Sequence, residues 1–93
     1  MPLSDNDLLV VSRDQVSCDL AGEAAILNLK SGIYFGLDPV GARAWTLLQQ
    51  PVTLFQLCDA LLDEYEVERA VLEADLRDLL NDLIGRGLVE VMK

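Results

Sequence analysis

The chain has 93 residues, 16 of them acidic and 7 basic, with no histidine and a formal net charge of -9 at pH 7. We predict one domain, residues 1–93, because this length leaves room for a single small core. The acidic balance argues against binding to nucleic acid, which needs clustered Lys and Arg, and the absence of histidine excludes Ser–His and Cys–His catalysis. No enzymatic activity is therefore expected.

The first eleven residues carry Asp5 and Asp7 where a signal peptide needs Lys or Arg, and no apolar run approaches the roughly 20 residues of a membrane span. We therefore expect a cytoplasmic protein without a membrane contact. Cys18 and Cys58 form no CxxC pair and have no histidine nearby, which disfavours a metal site. We predict both cysteines to be small apolar core residues, and expect no metal and no cofactor.

The first part of the chain shows strand patterns. Residues 8–13 are predicted as a strand, and residues 16–20 begin a second. Residues 24–29 form the clearest strand, in which Ala25, Leu27 and Leu29 share one face and Asn28 lies on the other. The segment 30–32 is typical of a hairpin turn, after which residues 33–37 return as a strand. The alternation places Ile33, Phe35 and Leu37 on one face, and Tyr34 and Gly36 on the other.

From Pro39 the apolar period becomes helical. Asp38 is a predicted N-cap and Pro39 suits the first helical position, while Pro51 ends this helix. Thr53 and Gln56 form a predicted capping box for a second helix. That helix carries an apolar stripe at the spacing i, i+3, i+4, i+7, i+8 and i+11: Leu54, Leu57, Cys58, Leu61, Leu62 and Tyr65.

A third helix is predicted from about residue 68 to residue 84, with Gly85 and Gly87 as its stop. Residues 88–91 either form a short terminal strand or simply pack down. The apolar stripe of this helix consists of Leu72, Leu76, Leu79, Leu80 and Leu83. The fold class is therefore α+β: a three-stranded antiparallel sheet followed by three helices, an arrangement like that of winged-helix proteins.

The predicted strand 33–37 is short, uncharged and free of proline, so it lacks the usual protections of a sheet edge. An extended peptide can pair with such an edge by strand addition. The alternative is that Phe35 and Leu37 serve only the core and Tyr34 only the surface. A DNA-binding winged helix is the other reading of this element order, but the third helix is acidic rather than basic.

The segment from Leu27 to Trp45 resembles the PqqD family, as do residues 53–65, the run Glu73-Ala74-Asp75-Leu76 and the ending Gly87-Leu88-Val89. The resemblance covers residues 8–91. It implies an element that recognises ribosomally made, post-translationally modified peptides by binding the leader of the precursor. The leader would add beside the strand 33–37 and lie against the third helix. The implied peptide-binding residues are Ile33, Tyr34, Phe35, Gly36, Leu37, Leu72, Asp75, Leu76, Leu79, Asp82 and Leu83.

Within this family the chain is most similar to the lasso-peptide B1 proteins. That similarity implies a separate leader-cleaving cysteine protease (B2) and a macrolactam-forming cyclase as partners. The alternative is a PqqD-type peptide chaperone that delivers its precursor to a radical-SAM enzyme. An acidic rim from Asp75 and Asp82 would suit a leader that carries Lys or Arg.

Overall fold

The computed structural model describes residues 6–20 and 23–92, and in this part of the chain it shows six strands and three helices. The strands are β1 (Leu8–Val11), β2 (Gln15–Leu20), β3 (Glu23–Asn28), β4 (Tyr34–Leu37), β5 (Val52–Thr53) and β6 (Val89–Met92). The helices are α1 (Pro39–Leu47), α2 (Leu54–Glu64) and α3 (Arg69–Gly85). The predicted α+β class is confirmed.

The strands form two antiparallel sheets of three strands each, in the orders β5-β1-β6 and β2-β3-β4. The second of these is a three-stranded sheet near the start of the chain, as predicted. β1 does not join it, because β1 pairs with β6, where Leu9 lies opposite Val91. β1 also pairs with β5, a two-residue strand that the sequence did not predict. The pairing of β6 resolves the alternative left open for residues 88–91.

The hairpin between β3 and β4 and the start of α1 follow local rules. The Asn28 side chain accepts a hydrogen bond from the backbone N–H of Lys30 at 2.9 Å. Gly32 has a φ of 73°, the left-handed conformation that glycine adopts at little cost. At the other end of β4, the Asp38 carboxylate accepts from the N–H of Gly41 at 2.7 Å. The predicted turn and the predicted N-cap are both confirmed.

The ends of α2 and α3 also show sequence-encoded caps. The Thr53 hydroxyl accepts from the N–H of Gln56 at 3.1 Å, and the Gln56 side chain accepts from the N–H of Thr53 at 3.0 Å. This is the predicted capping box. After α3, Gly87 has a φ of 75°, and the N–H of Leu88 donates to the carbonyl of Leu83 at 2.9 Å. The N–H of Gly87 also donates to the carbonyl of Ile84 at 3.0 Å. The two bonds form a Schellman motif, which ends the helix at the predicted place.

The core lies between the helices and the inner faces of both sheets. Its most buried members include Leu9, Ile26, Leu48, Leu54, Leu57, Leu61, Leu80, Leu83 and Leu88. Cys58 is buried, as predicted, but Cys18 is exposed and its predicted core position is wrong. The reason is that β2 is an edge strand, and Cys18 pairs with Ala25 away from the buried row of β3. None of the described helices is long and apolar enough to cross a membrane.

Candidate peptide-binding groove

A groove with a volume of about 500 Å³ lies between β4 and the first half of α3. Residues of β4 form one wall and α3 forms the other, and residues at the start of α1 also line the groove. Seven of the predicted site residues line this groove: Phe35, Gly36, Leu37, Leu72, Asp75, Leu76 and Leu79. The structure therefore brings the two predicted segments together around one cavity.

Four predicted site residues lie outside this groove. Leu83 is only 1% exposed and belongs to the core. The carboxylate of Asp82 accepts from Nε of Arg86 at 2.9 Å, one turn further along the chain. Ile33 lines a second cavity of about 170 Å³, next to Phe35 and Arg86. The Tyr34 side chain is 69% exposed and does not line the groove.

Sequence reasoning missed part of the groove wall. Val40 and Gly41 contribute from α1, and Tyr65, Val67 and Val71 contribute from the end of α2 and the start of α3. A signal for Val71 was present in the spacing, because it precedes Asp75 and Leu79 at intervals of four residues, whereas Val67 lies before α3 begins. Such residues form a ridge along a helix, beside the buried stripe. Val71 is 53% exposed, so the ridge is accessible from solvent.

The hydrogen-bonding pattern of β4 decides which of its backbone groups are free. The N–H of Asn28 donates to the carbonyl of Ile33 at 3.0 Å, so these two residues form a hydrogen-bonded pair. Bonded and non-bonded pairs alternate along an antiparallel ladder, and the register then gives Phe35 another bonded pair. The N–H and C=O groups of Tyr34 and Gly36 therefore point away from β3. β4 is the last strand of its sheet among the described residues, so this edge is open.

The groove has an acidic character. Asp38 and Asp75 line it, and no Lys or Arg of the described chain does. The acidic rim predicted from Asp75 and Asp82 thus lies at Asp75 and Asp38, while Asp82 pairs with Arg86. Beyond the groove, the Arg86 guanidinium lies 4.8 Å from the centre of the Phe35 ring, a cation–π contact. This contact fixes the Phe35 ring, which lines both cavities.

An ion pair supports the wall of the groove at Tyr65. Nε of Arg43 donates to both carboxylate oxygens of Glu64, at 2.8 and 3.0 Å, and links α1 to the end of α2. The hydrogen bond from Arg43 lowers the pKa of Glu64, and the same bond raises the pKa of Arg43. Tyr65 follows directly in sequence, and its backbone N–H donates to the carbonyl of Leu61 at 2.9 Å.

The open edge and the apolar groove together suit an extended peptide. Backbone groups at Tyr34 and Gly36 can pair with a strand, and every second side chain of that strand would point into the groove. The rim at Asp75 can attract a basic side chain. This arrangement is suited to binding a chain segment, and none of its described lining groups provides a nucleophile paired with a base.

Comparison with known proteins gives three findings. The family described as "Coenzyme PQQ synthesis protein D (PqqD)" matches residues 23–89. The solved structure "TbiB1 in Complex with the TbiA(beta) Leader Peptide" is similar with a TM-score of 0.82 and 41% sequence identity, over 87% of this chain and 94% of that chain. The structure "Lasso peptide synthetase B1 complexed with the leader peptide" has a TM-score of 0.77 and 23% identity, over 88% of this chain and 96% of that one. The second structure supports the fold alone. No curated protein matches this chain.

Proposed function

The chain belongs to the PqqD family, and from this membership we propose that it is a non-catalytic protein that captures the leader segment of a ribosomally made precursor peptide. It then presents the bound precursor to the enzymes that modify it. The observation that carries this proposal is the open edge of β4 beside the groove. A groove without an edge would bind side chains only, whereas this site also offers backbone partners in register.

The leader binds as an additional strand next to β4. Its backbone bonds to Tyr34 and Gly36, and its groove-facing side chains pack against Leu72, Leu76 and Leu79. Because main-chain bonds provide much of the affinity, the site tolerates leaders of differing sequence, and the groove selects apolar anchors. A Lys or Arg near one anchor pairs with Asp75.

The pathway is that of a lasso peptide. TbiB1 is 41% identical to this chain and was solved with the TbiA(beta) leader peptide, which supports a precursor leader as the ligand. The lasso assignment follows from the resemblance of the sequence to the lasso-peptide B1 proteins. The proposed partners are a leader-cleaving cysteine protease and a cyclase, which act on the precursor while this protein holds its leader. Association with a radical-SAM enzyme in place of these partners would assign the protein to the PqqD-type alternative.

The test uses the TbiA(beta) leader peptide with a fluorescent label, titrated with the full chain and followed by anisotropy. We expect saturable binding, and slower amide hydrogen exchange at Tyr34 and Gly36 in the complex. The exchange of α1 should change little, since α1 is not part of the paired edge. No saturable binding at about 100 µM, which means an affinity weaker than about -5.5 kcal/mol, would contradict the proposal for this ligand.

The same preparation tests whether the protein is non-catalytic. Incubated alone with the precursor, it should leave the leader uncleaved, and cleavage should begin only when the peptidase is added. Turnover by the purified chain alone would refute this part of the proposal.

A further inference from the structure

The sheet β2-β3-β4 has a second open edge, at β2. β2 is the last strand on that side among the described residues. The N–H of Leu29 donates to the carbonyl of Asp14 at 2.9 Å, so these two residues form a hydrogen-bonded pair. Bonded and non-bonded pairs alternate along the ladder, and the register then gives Val16 the next bonded pair. The backbone groups of Gln15 and Ser17 therefore point away from β3, towards the open edge.

A cavity of about 510 Å³ lies beside this edge, between β2 and α1, and we call it the α1 cavity. Ser17 lines it from β2, and Arg43, Trp45 and Thr46 line it from α1. Tyr65 lines both this cavity and the groove beside β4. The α1 cavity therefore adjoins the leader groove, and each open edge of the sheet has a space for side chains next to it.

Trp45 carries a polar group that the fold leaves unsatisfied. Its side chain lines the α1 cavity and is only 4% exposed. The indole Nε1 is buried and has no hydrogen-bond partner in the described part of the chain. Buried donors are nearly always paired, because an unpaired donor has lost its bonds to water without replacing them. The missing acceptor indicates a ligand that brings an oxygen atom into the α1 cavity.

The orientation of the leader strand decides which part of the precursor lies near this cavity. Every strand pair of the described chain is antiparallel, and antiparallel pairing is slightly more stable per residue than parallel pairing. An antiparallel leader strand would begin next to Leu37 and end next to Tyr34. α1 begins at Pro39, directly after the end of β4. The residues that precede the leader strand therefore leave the groove at the start of α1.

A short segment is long enough to connect the two edges. A strand added to β4 and a strand added to β2 would lie four strand spacings apart, about 19 Å. An extended chain covers this distance in about six residues. Once the leader is bound, the second contact is intramolecular, so it increases affinity through a high effective concentration.

We propose that the β2 edge and the α1 cavity bind the precursor segment that precedes the leader strand. This inference rests on the proposed function, because the bound leader brings that segment to α1. The segment pairs with the backbone groups of Gln15 and Ser17 and places side chains in the α1 cavity. One of its oxygen atoms accepts the indole N–H of Trp45. The two edges of one sheet thereby hold two successive segments of one precursor.

The test compares three tryptophan-free peptides from the TbiA(beta) precursor. The first is the shortest part of the leader that binds, the second adds the residues that precede it, and the third adds the residues that follow it. In anisotropy titrations the second peptide should bind about tenfold more tightly than the first, and the third should bind like the first. Trp45 is the single tryptophan of the chain, so its fluorescence should change with the second peptide only.

Two variants locate the added contact. Ser17→Pro removes an outward N–H of β2, and Ser17→Ala is its control, because it changes the side chain and keeps the amide. Thr46→Phe fills the α1 cavity from an exposed position, and Gln50→Phe is its control at an exposed residue that does not line the cavity. Circular dichroism confirms folding of each variant.

The variants should separate the two contacts. Ser17→Pro and Thr46→Phe should each reduce the tenfold gain of the second peptide to about twofold or less, because the tethered contact is lost. Both controls should retain the gain. All four variants should bind the first peptide like the wild type, since the β4 edge is unchanged.

Each other outcome overturns one proposal. Equal affinity of the wild type for the first and second peptides would overturn this inference and leave the proposed function intact. A gain with the third peptide instead would show that the preceding segment is not the occupant. A wild-type dimer in sedimentation velocity that Ser17→Pro dissociates would show that a second copy occupies the β2 edge. Failure of all three peptides to bind would overturn the proposed function itself.

Discussion

The two halves of α3 carry one continuous apolar stripe, but they lie in different surroundings. The second half, around Leu80 and Leu83, is closed off within the core, where these side chains are 0% and 1% exposed. The part from Val71 to Leu79 runs beside β4 along an open groove. Leu72 and Leu76 there are 5% and 3% exposed and also belong to the core, whereas Leu79 is only partly buried. The same residue type thus serves stability at one end of the helix and is available to a ligand at the other. The exposure of each leucine depends on whether another element packs against it, and not on the apolar stripe itself.

This contrast shows how the protein combines a small core with a binding site. A domain of this size buries a limited apolar surface, and α3 uses one face for both purposes. The leader is proposed to fill the part of that face which the core leaves open. Substitutions near Leu83 should therefore affect mainly stability, and substitutions near Leu79 should affect mainly leader binding.

The largest expected effect is a loss of stability when Leu83 is truncated, in the part of α3 that lies within the core. Leu83→Ala should lower the free energy of unfolding by about 2–5 kcal/mol, because it leaves a cavity among buried side chains. Leu79→Ala removes the same atoms at the groove and should cost about 1 kcal/mol of stability, while it weakens leader binding. Urea unfolding and anisotropy measure the two quantities. Equal losses of stability in both variants would show that the two ends do not differ.

The next effect concerns the open edge. Gly36→Pro removes an N–H that points away from β3, and should weaken leader binding about tenfold, since it deletes one ladder bond and disturbs the strand. A Cβ at Gly36 would meet no heavy atom within 4 Å, so the fold accommodates a side chain there. Tyr34→Pro tests the other outward amide.

Gly36→Ala is the matched control, because it adds a side chain and keeps the amide. Phe35→Pro should instead destabilise the protein, because its N–H faces β3 and its ring packs against the core. Gly36→Pro with leader affinity equal to that of Gly36→Ala would rule out backbone pairing at this residue.

A smaller effect is expected at the acidic rim. Asp75→Lys should weaken a leader carrying Lys or Arg by about 1 kcal/mol at low salt. Asp78→Lys makes the same change of charge on α3 at an exposed residue that does not line the groove. If both variants weaken binding equally, the effect is one of overall charge, and Asp75 has no specific place in the site.

The smallest effect is the pH dependence of the ion pair behind Tyr65. The hydrogen bond from Arg43 lowers the pKa of Glu64 from its ordinary value of 4.5. A lowered pKa means that the carboxylate stabilises the folded state above the ordinary value, and that this contribution is lost as the pH falls through the lowered value. Glu64→Gln should therefore be slightly less stable than the wild type at neutral pH and equally stable in acid. The pair is exposed to solvent, so the difference is small.

Urea unfolding at pH 7 and at about pH 3 measures this difference. Asp63→Asn is the control for loss of one charge, because Asp63 precedes Glu64 and forms no ion pair with a described residue. A stability difference between wild type and Glu64→Gln that stays constant across this range would exclude the ion pair as its cause.

Local features were predictable from the sequence because they depend on residues a few positions apart. The hairpin at Gly32, the N-cap at Asp38 and the capping box at Thr53 all satisfy backbone groups within three or four residues. The strand 33–37 and the stripe of α3 followed from periods of two and 3.6 residues. Seven of the predicted site residues line the groove for the same reason.

Distant pairings were not predictable in this way. β1 pairs with β5 and β6, which lie more than 40 residues later in the sequence, and the periodicity of a short segment does not indicate such partners. The exposure of Cys18 likewise depends on β2 being an edge strand. Which amides of β4 point away from β3 depends on the register between the two strands, and the sequence of one strand does not reveal that register. The register assigns the outward amides to Tyr34 and Gly36.

The sequence by itself therefore determined where the helices and hairpin lie, how they end, and which side chains of β4 and α3 are apolar. Only the tertiary structure decided that Leu79 lines a groove while Leu83 is sealed in the core, and that the free amides of β4 belong to Tyr34 and Gly36. The physical reason is that apolar periodicity reports which face of an element avoids water. Whether that face meets another element, an open groove or a partner depends on contacts between residues that are distant in sequence.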